Sequence, residues 1–174
     1  MKKFYPASVL IVMLMLVSCT ASKYTVTQDD GKNIIVGNIS WEGWQEHAGW
    51  KTYSAGAFTP SQKRVSDVSE ITNSKNISYL IFAGSWCGDS EEELPKLYKL
   101  LTMSGIFDDK RVLYGLDRHK QEPTGIALQY KIEKVPTLVI LSGNEEIGRI
   151  VETPKKSWDD DILNIIRNVY YKEE

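Results

Sequence analysis

One short stretch, Gly84-Ser85-Trp86-Cys87-Gly88-Asp89-Ser90, constrains the fold more than any other. An apolar run, Ile77 to Ala83, enters it; an acidic, then amphipathic run, Glu91 to Leu101, leaves it. A short, near-continuous apolar run suits a central strand covered on both faces. Leu94, Leu97, Tyr98 and Leu101 recur at helical spacing, which predicts a helix stopped by Gly105 and kinked at Pro95. A strand therefore ends and a helix begins at a cysteine. There the unpaired backbone N–H groups and the positive end of the helix dipole favour a thiolate. Gly88 N–H and the Ser90 hydroxyl are the expected local donors to the Cys87 sulfur. Asp89, Glu91, Glu92 and Glu93 oppose the negative charge, unless they form only a solvated helix face; Lys96 stands at i+4 from Glu92, and Arg118 and His119 are the expected positive charges.

The N-terminus reads as an export leader. Lys2 and Lys3 precede a nine-residue apolar core, Val9 to Val17, too short to span a bilayer comfortably. Leu16-Val17-Ser18-Cys19 resembles the bacterial lipobox, which implies removal of residues 1–18, lipid on Cys19 and anchorage to a bacterial membrane on the envelope side, periplasmic or extracellular. The alternatives are an ordinary leader cut nearby, a buried apolar segment, and a Cys19–Cys87 disulfide. With the leader gone, the basic count drops from 21 to 19 against 23 acidic residues, a net charge near −4. That argues against a nucleic-acid partner, which needs a basic surplus to replace phosphate counterions. It also leaves Cys87 as the one free thiol of an exported chain, a pattern that points to a reactive sulfur.

The mature chain divides into a polar tether, residues 19–32, and one domain, 33–174, with an extension over 33–76 and a core over about 77–170. Ile34-Ile35-Val36 predicts a first short strand. Trp41, Trp44 and Ala48 stand at helical spacing in a stretch that also holds Trp50 and Tyr53, and read as a small satellite core rather than a substrate-contacting patch. Val65, Val68 and Ile71 predict an amphipathic helix. Val112-Leu113-Tyr114 is a further strand, Pro123 to Tyr130 a helix, and Leu138–Leu141 with Ile147–Val151 a hairpin about Ser142-Gly143-Asn144. Ser157-Trp158-Asp159-Asp160 looks like a capping box for a last helix through Val169. His47 and His119 are the only histidines, and no cluster has metal-ligand spacing, so neither a metal nor another cofactor is implied.

From Ile77 onward this order, with Trp86-Cys87-Gly88 at the first strand–helix junction and Val135-Pro136-Thr137 opening the hairpin, resembles thioredoxin. The resemblance implies a thioredoxin-like α/β fold: a central mixed sheet flanked by helices, here with an N-terminal Trp-rich helical extension. It implies that Pro136 is cis, that Val135 presents backbone to an extended substrate alongside Gly88 and Asp89, and that Asp117 hydrogen-bonds the indole of Trp86. Pro95 falls where thioredoxin kinks its active-site helix. The departures are as specific. Ser90 replaces the second cysteine, Asp89 the usual proline, Ile81 the buried aspartate that assists release, and Glu152 a glycine near the last strand. What remains is a Cys-x-x-Ser site built from Cys87, Ser90, Trp86 and Pro136. The resemblance implies exchange through a mixed disulfide on Cys87, resolved by an external thiol. Its partners would be a protein disulfide or thiol substrate, or a small thiol. The alternatives are a redox-inactive binding module for an envelope protein, a peroxide-sensing sulfenic acid, and iron–sulfur ligation with external thiols.

Overall fold

The structure is a computed structural model and describes residues 23–171. The leader 1–18 and Cys19 lie outside the described residues. Eleven elements follow in order: β1 (Tyr24–Asp29), β2 (Lys32–Ile39), α1 (Trp41–His47), α2 (Gln62–Ser74), β3 (Ile77–Ala83), α3 (Gly88–Met103), β4 (Arg111–Gly115), α4 (Ile126–Gln129), β5 (Thr137–Ser142), β6 (Glu145–Val151) and α5 (Trp158–Tyr170). One six-stranded sheet has the order β1-β2-β4-β3-β5-β6. Only β3 and β4 pair in parallel; the other neighbours are antiparallel.

Helix starts follow the hydroxyls in the sequence. The side chains of Ser40, Ser61 and Ser157 accept from the amides of Gly43, Arg64 and Asp160, so α1, α2 and α5 each begin on a serine cap. At Ser157 half of the expected box is present: its hydroxyl caps the Asp160 amide, while the Asp160 carboxylate accepts from that hydroxyl and pairs with Arg64, and α5 adds Asp159, Asp160 and Asp161 at its positive end. Alternation along the strands then assigns the core. Tyr79 and Ile81 of β3 and Leu138 and Ile140 of β5 face the larger cluster, with α2, α3 and α5. Phe82, Val139 and Leu141 face a smaller one that includes Ala127 and Val135. Parallel β3 and β4 joined through α3, then the β5–β6 hairpin and α5, make a thioredoxin-like α/β fold, and the Val135–Pro136 peptide is cis as expected.

Three stretches differ from expectation. Residues 24–32 are not a tether: Tyr24–Asp29 forms β1, paired residue for residue with β2 from Tyr24↔Gly37 to Asp29↔Lys32. Its polar composition suits an edge strand that gains hydrogen bonds rather than burial, and Asp30 and Gly31, both at positive φ, supply the turn. The helix expected over Pro123–Tyr130 is cut to Ile126–Gln129 because Gly125 is left-handed and the Glu122 carboxylate takes the amides of Thr124 and Ala127. The Trp-rich segment is no satellite: Trp44 is fully buried in the main cluster, and Trp41 stacks on Tyr98 of α3 at 4.3 Å.

One buried phenol sets an alkaline limit. Tyr79 lies in the core with its hydroxyl 2.7 Å from Thr72 Oγ1. Burial pushes it up to about 12, against a smaller lowering by Thr72. Because the folded-state value is the raised one, its contribution to stability is complete below the unfolded value of about 10 and disappears as pH rises toward the folded one. Stability by urea unfolding is expected to fall through that window, and Tyr79→Phe to flatten the fall.

Candidate active site

Cys87 sits at the N-cap of α3, half-buried, with its side chain packed on the smaller core cluster. Its Sγ donates to Val135 O at 3.3 Å, which brings the thiol against the peptide that precedes cis Pro136. Cys87 N donates to Gly84 O at 3.0 Å and Glu91 N to Cys87 O at 3.1 Å, so the loop runs directly into the helix, whose start has no side-chain cap. Gly84 is required here: a Cβ would stand 2.7 Å from the Trp86 ring, which folds back over it.

The Trp86 indole donates to Leu116 O at 2.9 Å. Asp117 therefore does not receive it, contrary to expectation. Its Oδ1 instead accepts from His119 N and Gln121 N, both at 2.8 Å, and closes the turn after β4. A backbone carbonyl one residue earlier fills the role. Ser90 also differs from expectation. It is 0% exposed and its hydroxyl accepts from Gly84 N at 3.2 Å, so it stabilises the loop backbone rather than the Cys87 sulfur. Ile81, also 0% exposed, sits on the central strand among apolar side chains. Gly88 and Asp89 are exposed on the first turn of α3.

The charges divide by side. Arg118 lies 5.4 Å from the Trp86 ring centre and Lys120 5.5 Å, a cation–π pair on the wall of the site. Arg118 also pairs with Asp29 at 2.6 Å. His119 is exposed and lines a neighbouring groove of about 550 Å³ with Lys120, Ala127 and Leu128. On the other side Gly88, Glu91 and Glu92 line a groove of about 750 Å³ with Ala55, Phe58, Pro154 and Trp158 among others. Lys96 there pairs with Glu92 at 3.0 Å and with buried Glu93 at 2.6 Å. Desolvation works against the Lys96 charge, but its hydrogen bonds to Glu93 and Glu92 outweigh it and hold the ammonium above the usual lysine range.

Glu152 and Lys134 complete the rim. Glu152 keeps a left-handed backbone, φ 61°, without being glycine, and its amide donates to Pro136 O at 2.7 Å. Such a conformation costs a non-glycine residue about 1–2 kcal/mol. Its carboxylate pairs with Lys134 at 2.7 Å; that hydrogen bond and charge, with a smaller pull from Asp89, hold the Lys134 ammonium above its usual range.

Three residues at the site were not legible as site residues: Ser85, Trp50 and Lys32. Ser85 Oγ donates to Asn33 O at 2.6 Å and accepts from Ile35 N at 3.0 Å. Trp50 Nε1 donates to Ser85 O at 2.7 Å, and Lys32 Nζ to Trp86 O at 2.8 Å. The available signal was Asp30-Gly31, a hairpin dipeptide that places Lys32 at the head of β2.

No family model matches the chain. Over 96 residues it is 30% identical to Thioredoxin H2-1 of Oryza sativa subsp. japonica, a match that takes in 55% of this chain and 64% of that protein. Over 84 residues it is 30% identical to Thioredoxin H2-2 of the same plant, taking in 48% and 58%. The chain thus spans less than two thirds of the length of these curated relatives. Among solved structures, thioredoxin f2 of Chlamydomonas reinhardtii gives a TM-score of 0.39 at 16% identity, covering 57% of this chain and 83% of that one. The chain's own topology defines a thioredoxin-like fold.

Proposed function

We propose that this chain is a thiol–disulfide exchange protein that works through one sulfur, Cys87. The observation that carries the reading is the half-buried thiol at the start of α3, 3.3 Å from the carbonyl of Val135 and beside cis Pro136. Cys87, as thiolate, attacks one sulfur of a substrate disulfide. The Cys87–substrate S–S bond forms, the substrate S–S bond breaks, and the leaving sulfur departs with the bonding electrons and is protonated by water. An external thiolate, from a small thiol or from another cysteine of the substrate, then attacks the mixed disulfide. With a small thiol two equivalents are used: the first attacks the Cys87 sulfur and frees the substrate as a dithiol, and the second attacks the resulting disulfide between Cys87 and the small thiol and frees Cys87, so the substrate is reduced and the two small thiols leave as their disulfide; with a substrate cysteine the disulfide is moved without net redox change.

Val135 offers its backbone to an extended substrate segment, a sequence-tolerant mode of recognition. Gly88 and Asp89 flank the approach, and Trp86 forms the wall. The chain is exported, cut before Cys19 and held by lipid on that cysteine to a bacterial membrane, which places Cys87 in the envelope; the support is the order Lys2-Lys3, apolar core, Leu16-Val17-Ser18-Cys19. The second reading, a redox-inactive binding module using the same groove, draws on Ser90 and Ile81, which supply neither a resolving thiol nor a base.

A Cys19→Ala protein incubated with a disulfide-containing peptide is expected to give, by intact mass, a Cys87 adduct that persists until free thiol is added. Absence of the adduct in the folded protein supports the binding module instead.

A further inference from the structure

The loop between β3 and α3 is held from outside the β3–α5 unit. All four of its carbonyls are occupied. Gly84 O and Cys87 O are taken locally, by Cys87 N and Glu91 N. Ser85 O and Trp86 O are taken by side chains of the N-terminal extension, Trp50 Nε1 at 2.7 Å and Lys32 Nζ at 2.8 Å. The Ser85 side chain adds the reverse connection. It sits between the backbones of Asn33 and Ile35, donating to the carbonyl of one and accepting from the amide of the other.

The register of β2 explains why those backbone groups are free to bond Ser85. β2 pairs with β4 only from Gly37↔Gly115 to Ile39↔Leu113. Ahead of that point its inner edge has no strand beside it, and the Ser85 hydroxyl stands where a neighbouring strand's groups would. The approach is close: a Cβ on Gly115 would collide with the Ile35 carbonyl. The tip of the β1–β2 hairpin is fastened a second time, through Asp29 to Arg118, whose guanidinium lies over Trp86. Ser85 is 3% exposed and Trp50 is buried, so the bonds of Ser85 and Trp50 are shielded from water and each loss leaves a buried polar group unpaired, whereas the Lys32 and Asp29 contacts are exposed.

We propose that the β1–β2 hairpin and Trp50 form a clasp that fixes the Cys87 loop against Val135, and that Ser85, Trp50 and Lys32 are positioning residues for the exchange reaction. The proposal rests on Cys87 as the exchanging sulfur and extends it. Attack on a disulfide needs the three sulfurs in line, so a loop that drifts relative to the peptide holding the substrate slows the step while leaving the thiol reactive to small reagents. The extension then belongs to the site, although its own side chains carry no reacting group.

The test uses four variants in the full Cys19→Ala chain: Trp50→Phe, which keeps an aromatic ring but removes the indole donor, Ser85→Ala, and the exposed pair Lys32→Met and Lys32→Arg. Amide exchange is read at Cys87 and at α5 amides such as Ile166, and single-turnover reaction is measured with a disulfide peptide. Trp50→Phe is expected to speed exchange at Cys87 about tenfold with α5 unchanged. Its maximal exchange rate is expected to fall about five- to tenfold, with half-saturation and iodoacetamide alkylation both within about twofold of the parent. Ser85→Ala should act in the same direction, Lys32→Met more weakly, and Lys32→Arg should behave as the parent. Loosening at Cys87 that only tracks α5, or a loosened loop with an unchanged maximal rate, overturns the proposal. If the parent forms no mixed disulfide, the exchange function fails, and amide exchange alone decides the clasp: selective loosening at Cys87 supports it, and none overturns it.

Discussion

Replacing Ser90 with cysteine is expected to shorten the life of a Cys87 mixed disulfide by about 100-fold or more, because resolution changes from bimolecular to intramolecular. The geometry favours it. Ser90 lies three residues after Cys87 on the first turn of α3, and side chains at that spacing share a helix face about 5–6 Å apart at Cβ, a distance that modest adjustment closes to a disulfide. Its hydroxyl already points back at Gly84 N, 3.2 Å away, toward the loop that carries the cysteine. Two terms limit the gain. Sulfur accepts the Gly84 amide more weakly than oxygen does, and Ile81 provides no base to ionise a buried thiol. The check is intact mass over time after a single addition of peptide disulfide, without free thiol. The Ser90→Cys protein should release the peptide and end lighter by two hydrogens, as its own disulfide, while the parent stays modified. Equal lifetimes would show that position 90 cannot reach the exchanging sulfur, and the single-thiol account of the parent would lose its geometric basis.

The second large effect concerns stability. Trp44→Ala is expected to cost about 3–5 kcal/mol, the range for truncating a fully buried tryptophan. Trp44 is 0% exposed, lies edge-on to Trp50 at 5.4 Å, and belongs to the same cluster as Leu94, Tyr98 and Ile81. The loss should therefore appear in one cooperative transition of the whole domain, seen in urea by tryptophan fluorescence and by circular dichroism with the same midpoint. Trp44→Phe provides the control. Among the described residues the Trp44 indole N–H has no hydrogen-bond partner, so phenylalanine keeps most of the burial and removes an unpaired donor. Its cost should stay below about 2 kcal/mol. A separate early transition in Trp44→Ala, with the remainder unfolding as the parent does, would restore the extension to the satellite role its sequence suggested.

The contrast between what was and was not legible follows the range of the interactions. The unit from Ile77 onward reads well because its signals are local: the apolar run of β3, the helical spacing after Cys87, the turn at Gly143, and the cap at Ser157 each act within a few residues. Pro136 was found through Val135 and Thr137 beside it. β1 was missed because five of its six residues are exposed, so no alternation marks it; only its pairing with β2 makes it a strand. The resemblance pairs Asp117 with Trp86 by position alone. The fold instead spends its carboxylate on two turn amides, and the indole takes the nearby Leu116 carbonyl. The clasp is illegible for a stronger reason. Its bonds join Ser85 to Trp50, Asn33 and Ile35, and Trp86 to Lys32, across 35 to 54 residues of sequence, and depend on where β2 parts from β4. No spacing rule reaches that far.

The most direct measurement is the rate at which Cys87 forms a mixed disulfide with glutathione disulfide, in the Cys19→Ala protein, folded and in denaturing urea. An ordinary exposed thiol gains nothing from the fold, and an inert buried one loses by it. The account predicts that the folded protein reacts at least about tenfold faster, because the fold presents the sulfur for attack at the start of α3. A folded rate equal to or below the unfolded one would contradict it.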